Sequence, residues 1–296
     1  MEDTQKNNID ELDQSRVYVL FYSFFLLPLM ITIFGVMFFL IVKFLTFETE
    51  DPYDLLNNIK FGSASKRWQS AYELSKILSD EELIPSDNSF KEMFINAYQK
   101  STHDDYKVKM YLILAMGKTK DVYYGDALMG SLNDELLDIR LAAIQSLGQL
   151  RYTGATDDLS NFVMNSNYNE EVLASIISLG QIGDKKSISL LKQMLNHEEP
   201  NIRWDSAIAL AKMNNDSGKF IINDLLNRQY YDSYKNVDQW EEDKAVMTAV
   251  QISSQLKDPY FKKNLVTLAT YDSNMEIRNT AIQILRNVYN LEISNG

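Results

Sequence analysis

The chain has 296 residues, of which 24% are charged and 45% hydrophobic, a balance that excludes both a disordered protein and a multi-span membrane protein. Forty-one acidic against 29 basic residues leave a net charge of −12, which repels phosphate backbones and argues against nucleic acid as a partner. There is no cysteine, so disulfides, thiolate metal sites and cysteine nucleophiles are excluded together.

Residues 1–16 form an acidic tail of net charge −3. Val17 to Val42 then run for 26 positions without a charge, and eighteen of these are Leu, Ile, Phe or Val. At about 1.5 Å per residue a helix of this length spans roughly 39 Å, more than a bilayer core of about 30 Å requires. The expectation is one transmembrane helix over residues 17–46, with tyrosines Tyr18 and Tyr22 at interfacial depth and a kink at Pro28. A cleaved signal peptide would have a shorter apolar core behind a basic leader, and this leader is acidic. Basic residues near the two ends (Lys6 and Arg16 against Lys43, Lys60, Lys66 and Arg67) lean toward a cytoplasmic C-terminal region. That suggests a single-pass protein of a bacterial inner membrane with its soluble part cytoplasmic.

A short linker, residues 47–56, leads into a region of internal similarity, residues 57–296. LDIRLAAIQSLG at 137–148, NEEVLASIISLG at 169–180 and PNIRWDSAIALA at 200–211 are copies of one helix, with YKVKMYLILAMG at 106–117 upstream. Their closing small residues, Gly117, Gly148, Gly180 and Ala211, are 31, 32 and 31 apart. Weaker copies lie at 65–75, around Asp243–Gln251 and at 274–285, making about seven units. Ile139, Ala143, Ile144 and Leu147 share one stripe at helical spacing, and the glycine after each stripe reads as the flexible residue of a C-cap. A second amphipathic helix follows each turn, as in SISLLKQML at 187–195. No unit can bury its stripe alone, so neighbours must stack. The predicted fold is all-α, an α-solenoid of about seven helix pairs preceded by one N-terminal transmembrane helix.

The pattern resembles the HEAT-repeat superfamily, and within it the short units of the phycobilisome-lyase type. The resemblance is carried by Asp138, Ile139, Arg140 and Ala143, by Asn201, Ile202, Arg203 and Ser206, and by Glu276, Ile277, Arg278 and Ala281, each before a helix end. It implies a scaffold or adaptor that binds other proteins. Residues 78–90 and 228–242 depart from the pattern as insertions, and insertions in repeat proteins fall in loops on one face, often the binding face.

Little in the sequence points to chemistry. Arg67, Arg140, Arg203 and Arg278 recur near helix starts, where a guanidinium bridges adjacent units through carboxylates and carbonyls. His197–Glu198 matches the His-Glu pair that deoxyhypusine hydroxylase, another HEAT-repeat protein, uses in several copies, but one pair cannot close a metal shell. No nucleophile elbow, phosphate loop or dinucleotide fingerprint occurs. The expectation is therefore no enzyme, no catalytic residues, no cofactor and no metal. The candidate partner-binding residues are aromatic: Tyr230, Tyr231, Tyr234 and Trp240 in the second insertion, and Trp204 on a helix shoulder. Such residues anchor interfaces because they bury much area with few rotors to freeze; the competing reading is that the insertion folds back onto its own repeats.

With −3 in the tail and +1 at Lys43, the region 47–296 holds −10 of the total charge. It should stand off anionic lipid and favour basic protein surfaces. The reading is a membrane-tethered scaffold or accessory subunit whose partner is a membrane-associated protein. The alternatives are a lyase- or metal-dependent enzyme using the solenoid groove, and an extracytoplasmic peptide- or glycan-binding module.

Overall fold

The structure is a computed structural model and describes residues 21–45, 51–235 and 237–292. The tail 1–16, the start of the apolar run at 17–20 and linker residues 46–50 lie outside the described residues. The chain divides into two units, Met1–Asp51 and Pro52–Gly296.

In the first unit a π-helical turn, Tyr22–Leu26, leads into α1, Leu27–Leu45. The turn answers the proline. Pro28 has no N–H and its ring crowds the carbonyl four residues back, and the chain widens just before it, so that the Leu27 N–H bonds the Tyr22 carbonyl. The hydroxyl of Thr32 donates back to the Pro28 carbonyl at 2.8 Å. Tyr22–Val42 is long and apolar enough to cross a membrane, and none of its side chains is buried.

The second unit has no strand among the described residues. One row of helices carries the recurring motif: α3 (Ala64–Ile77), α5 (Tyr106–Lys118), α7 (Leu137–Gln149), α9 (Asn169–Ile182), α11 (Pro200–Lys212), α13 (Gln239–Leu256) and α15 (Met275–Tyr289). Each packs on the next. The flanking row is α2 (Pro52–Phe61), α4 (Asn88–Lys100), α6 (Gly125–Met129), α8 (Thr156–Asn165), α10 (Ile188–Met194), α12 (Lys219–Leu225) and α14 (Lys262–Tyr271). Together they make seven stacked pairs.

The pairs run in the opposite phase to the expected one, flanking helix first. The helical body starts at Pro52, inside the stretch read as linker. Pro52 suits a helix start, and Leu55, Leu56 and Ile59 are all buried. Ten residues are too few to show a clear periodicity. The apolar residues fall into two cores that meet at α11, which sends Ile202, Ala209 and Leu210 into one and Trp204, Ala207 and Ala211 into the other.

The closing glycines have a different role from the one expected. Gly117, Gly148 and Gly180 lie inside α5, α7 and α9, not at their caps. The left-handed residues come three positions later: Lys120 (φ 54°), Arg151 (φ 53°) and Gly183 (φ 75°). Each helical glycine is instead where the next helix of the row comes closest. A Cβ on Gly117 would lie 2.8 Å from the Ser146 Cα, one on Gly148 2.7 Å from the Ser178 Cβ, and one on Gly180 2.7 Å from the Ala209 Cα. Beside two of these contacts a serine crosses between helices: the hydroxyls of Ser146 and Ser178 donate to the carbonyls of Ile113 and Ile144, each at 2.9 Å.

Gly180→Ala should therefore force α9 and α11 apart and cost about 1–3 kcal/mol. Gly130→Ala, where a Cβ meets nothing within 4 Å, should be neutral or slightly stabilising. Thermal melts of the two variants, followed by circular dichroism, check the contrast.

Candidate docking surface

A basic residue recurs near the start of five of the seven motif helices and is held within the fold. Arg67 grips Asp104 of the next unit, Nε to Oδ2 at 2.6 Å and Nη2 to Oδ1 at 2.9 Å, and also donates to the Gly62 carbonyl at 3.0 Å. Lys109 reaches Asp134 at 2.5 Å. Arg140 donates to Glu171 at 2.5 Å and to the carbonyls of Asp134 and Glu135 at 2.8 and 3.0 Å. Arg203 repeats the carbonyl grip on His197 and Glu198, each at 2.8 Å, but meets the Tyr234 hydroxyl where Arg67 and Arg140 meet a carboxylate. Arg278 grips the Asp272 and Ser273 carbonyls. These groups are engaged within the fold.

That difference at Arg203 shows how the second insertion is anchored. The segment from Arg228 folds back as a 3-10 helix, Arg228–Ser233. Arg228 sits among three carboxylates: Asp272 at 2.8 and 2.9 Å, Glu242 at 2.7 Å and Asp243 at 2.7 Å. Burial alone would lower its pKa, but the hydrogen-bonded carboxylates outweigh that and raise it above its ordinary value. Tyr230, Tyr231 and Tyr234 then close around Trp204, with ring centroids 6.1, 6.0 and 5.2 Å away. The Trp204 indole N–H donates to the Tyr230 hydroxyl at 3.2 Å, and Tyr234 donates to the same oxygen at 2.9 Å. Burial pushes the Tyr230 and Tyr231 phenols up, so both stay neutral.

The structure thus separates the five aromatic candidates. Trp204 is 7% exposed, not the part-exposed shoulder residue expected, because the insertion covers it. Tyr231 is buried, and Tyr230 and Tyr234 are half-buried in the same cluster. Trp240 alone faces outward, 68% exposed, with the Lys244 ammonium 5.1 Å from its ring centre.

Beside Trp204, Asp205 stands where the sister helices carry Ala142 and Ala174. Desolvation raises its pKa to about 6, against the partial relief of Lys212 and Lys244. A carboxyl whose folded pKa is raised contributes stability that is fully present below the unfolded value near 3.8 and is lost as pH rises through about 6. Unfolding free energy should therefore fall by about 2 kcal/mol from this group between pH 4 and 6. Asp205→Ala should flatten that slope and raise stability at neutral pH, as urea melts across the range would show.

Aligning the helices of the motif row on their small residue exposes two columns that the sequence reading missed. One position on are Lys118, Gln149, Gln181 and Lys212; three positions on are the left-handed residues Lys120, Arg151, Gly183 and Asn214. All but Asn214 line one groove of about 940 Å³ at the C-terminal ends of the row. Among the described residues no three His, Cys, Asp or Glu side chains gather as a metal site.

Residues 163–232 match a family model for HEAT repeats. Of the solved structures similar to this chain, one is the complex of CpcE and CpcF of phycocyanin lyase from Nostoc sp., with 17% identity, 84% of this chain and 93% of that one covered, and a TM-score of 0.56. Human deoxyhypusine hydroxylase in complex with glycerol matches with 12% identity, 81% and 85% coverage and a TM-score of 0.35. No curated protein matches the sequence. The family match places HEAT repeats at residues 163–232, and the fold is a helical solenoid that the first of these structures shares.

Proposed function

We propose that this chain is a membrane-tethered scaffold, an accessory subunit whose solenoid holds another membrane-associated protein close to the bilayer. The observation that carries the reading is the pairing of an apolar helix, unburied along Tyr22–Val42, with seven stacked helix pairs whose recurrent basic side chains are engaged within the fold. HEAT repeats commonly mediate protein–protein contact, and one of the solved structures similar in fold is itself a two-protein complex. Tethering raises local concentration, so modest contacts suffice. Trp240, large and exposed at the end of a capped helix, is the aromatic best placed to meet the partner. The repeats are taken to be cytoplasmic, as the basic residues flanking the span suggest.

Crosslinking in intact membranes followed by mass spectrometry tests this. The expected result is a reproducible link from the solenoid to another membrane protein, reduced in Trp240→Ala with no loss of thermal stability. Links confined to this chain itself would sink the proposal, and a reporter fused to the C-terminus checks the orientation. Metal or pigment in the purified protein would favour enzymatic chemistry instead.

A further inference from the structure

The groove at the C-terminal ends of the motif row is cationic on an acidic chain. Its lining includes Lys118, Lys120, Arg151 and Lys212 and no Asp or Glu. Lys118 and Arg151 form no ion pair among the described residues, while Lys120 holds an exposed pair with Glu81 at 2.6 Å. At physiological salt, charge is screened beyond about 8 Å, so a ligand in the groove meets these cations more strongly than the distant acidic surplus.

Basic residues in a last helical turn also answer the helix dipole, and this accounts for Lys118 and Lys212. It does not account for Lys120 and Arg151. Both hold left-handed backbone at φ near +54°, where side chains other than glycine are disfavoured, and the equivalent position in the next unit is Gly183. Glycine would be conformationally cheaper at both; Lys257 shares this backbone outside the groove, so it is the place of Lys120 and Arg151 on the groove wall, and not the backbone alone, that points to a use for their side chains. Between them Gln149 and Gln181, half-buried in the groove, make no side-chain hydrogen bond among the described residues. An extended backbone offers such amides both donors and acceptors.

We propose that this groove docks an extended acidic peptide segment of a partner protein, its carboxylates on Lys118, Arg151 and Lys212 and its backbone on Gln149 and Gln181. Helices in contact lie about 8–10 Å apart, so the four unit ends span roughly 30 Å, the reach of about nine extended residues. The assignment rests on the scaffold reading and adds the site and the chemistry of the partner.

The test uses the full chain in nanodiscs and a fluorescein-labelled peptide of about nine alternating glutamates and serines. Binding is expected to weaken steeply with salt, and a lysine–serine peptide should not bind. Lys120→Gly with Arg151→Gly removes two charges while suiting the left-handed backbone; it should keep or raise the melting temperature and weaken binding about tenfold. Lys192→Glu with Lys263→Glu, exposed outside the groove, should leave binding unchanged. Absence of binding, affinity untouched by the double glycine variant, or stronger binding to an oligonucleotide or to phosphatidylglycerol vesicles would overturn the assignment. If the double glycine variant still crosslinks its membrane partner in full, the groove assignment fails and the scaffold reading stands; if no partner crosslinks at all, it is the scaffold reading that fails.

Discussion

Replacing Arg140 by alanine is expected to destabilise the solenoid by about 3–5 kcal/mol, the range for breaking one side of a buried ion pair. The Arg140 side chain is 14% exposed and that of Glu171 3%. Truncation leaves the Glu171 carboxylate with only the Ser166 hydroxyl at 2.5 Å, and it also frees the Asp134 and Glu135 carbonyls at the start of α7. Much of the loss comes from the orphaned charge, not from the net strength of the pair. Replacing both partners, as Arg140→Met with Glu171→Leu, should therefore recover most of the stability, because hydrophobic replacement of a buried pair is often neutral or better. Denaturant melts of the single and double variants decide between these accounts. A double variant as unstable as Arg140→Ala would show that the carbonyl grip, not the charge pair, holds the units together.

Trp204→Ala should cost a similar amount, about 3–5 kcal/mol, by a different route. The indole is the centre on which Tyr230, Tyr231 and Tyr234 close, and it lies on α11, where the two apolar cores meet. In a solenoid each unit is stabilised only by its neighbours, so losing this ring should loosen the insertion and uncouple the units after α11 from those before it. Hydrogen exchange should rise first between Arg228 and Tyr234, and the melt should separate into two phases. A single cooperative transition with unchanged exchange in the insertion would refute that picture. Trp240→Ala, by contrast, should leave the melt unmoved.

The two tryptophans show where sequence reasoning reaches its limit. Both are aromatic, both lie near helix starts and both sit close to charged residues; no local pattern tells them apart. What separates them is that residues 228–234 return to α11, drawn there by Arg228 and its carboxylates on α13 and at Asp272, which is a contact between segments distant in sequence. The glycines teach the same lesson. Their spacing of 31 and 32 was plain in the sequence, but a helical glycine admitting a neighbouring helix and a left-handed glycine ending its own helix look alike until the next unit is in place. Helix α2 was missed because ten residues carry too little periodicity to stand out from a linker. The columns at 118, 149, 181 and 212 and at 120, 151 and 183, which hold four cations between them, were available in principle, since aligning units on the small residue shows them. Their meaning depended on seeing that the helix ends converge on one groove.

By itself the sequence determined that the repeat region is helical, that it repeats every 31 or 32 residues, that neighbours must stack, and that one apolar segment is long enough to cross a bilayer. Those properties follow from side-chain periodicity and segment length, which are local. The tertiary structure alone decided the phase of the helix pairs, the burial of Trp204 and exposure of Trp240, the reason for the glycines and the location of a cationic groove on an acidic chain. Each of these depends on distances between helices, and such distances are set when neighbouring units pack at van der Waals contact, not by the order of residues within any one of them.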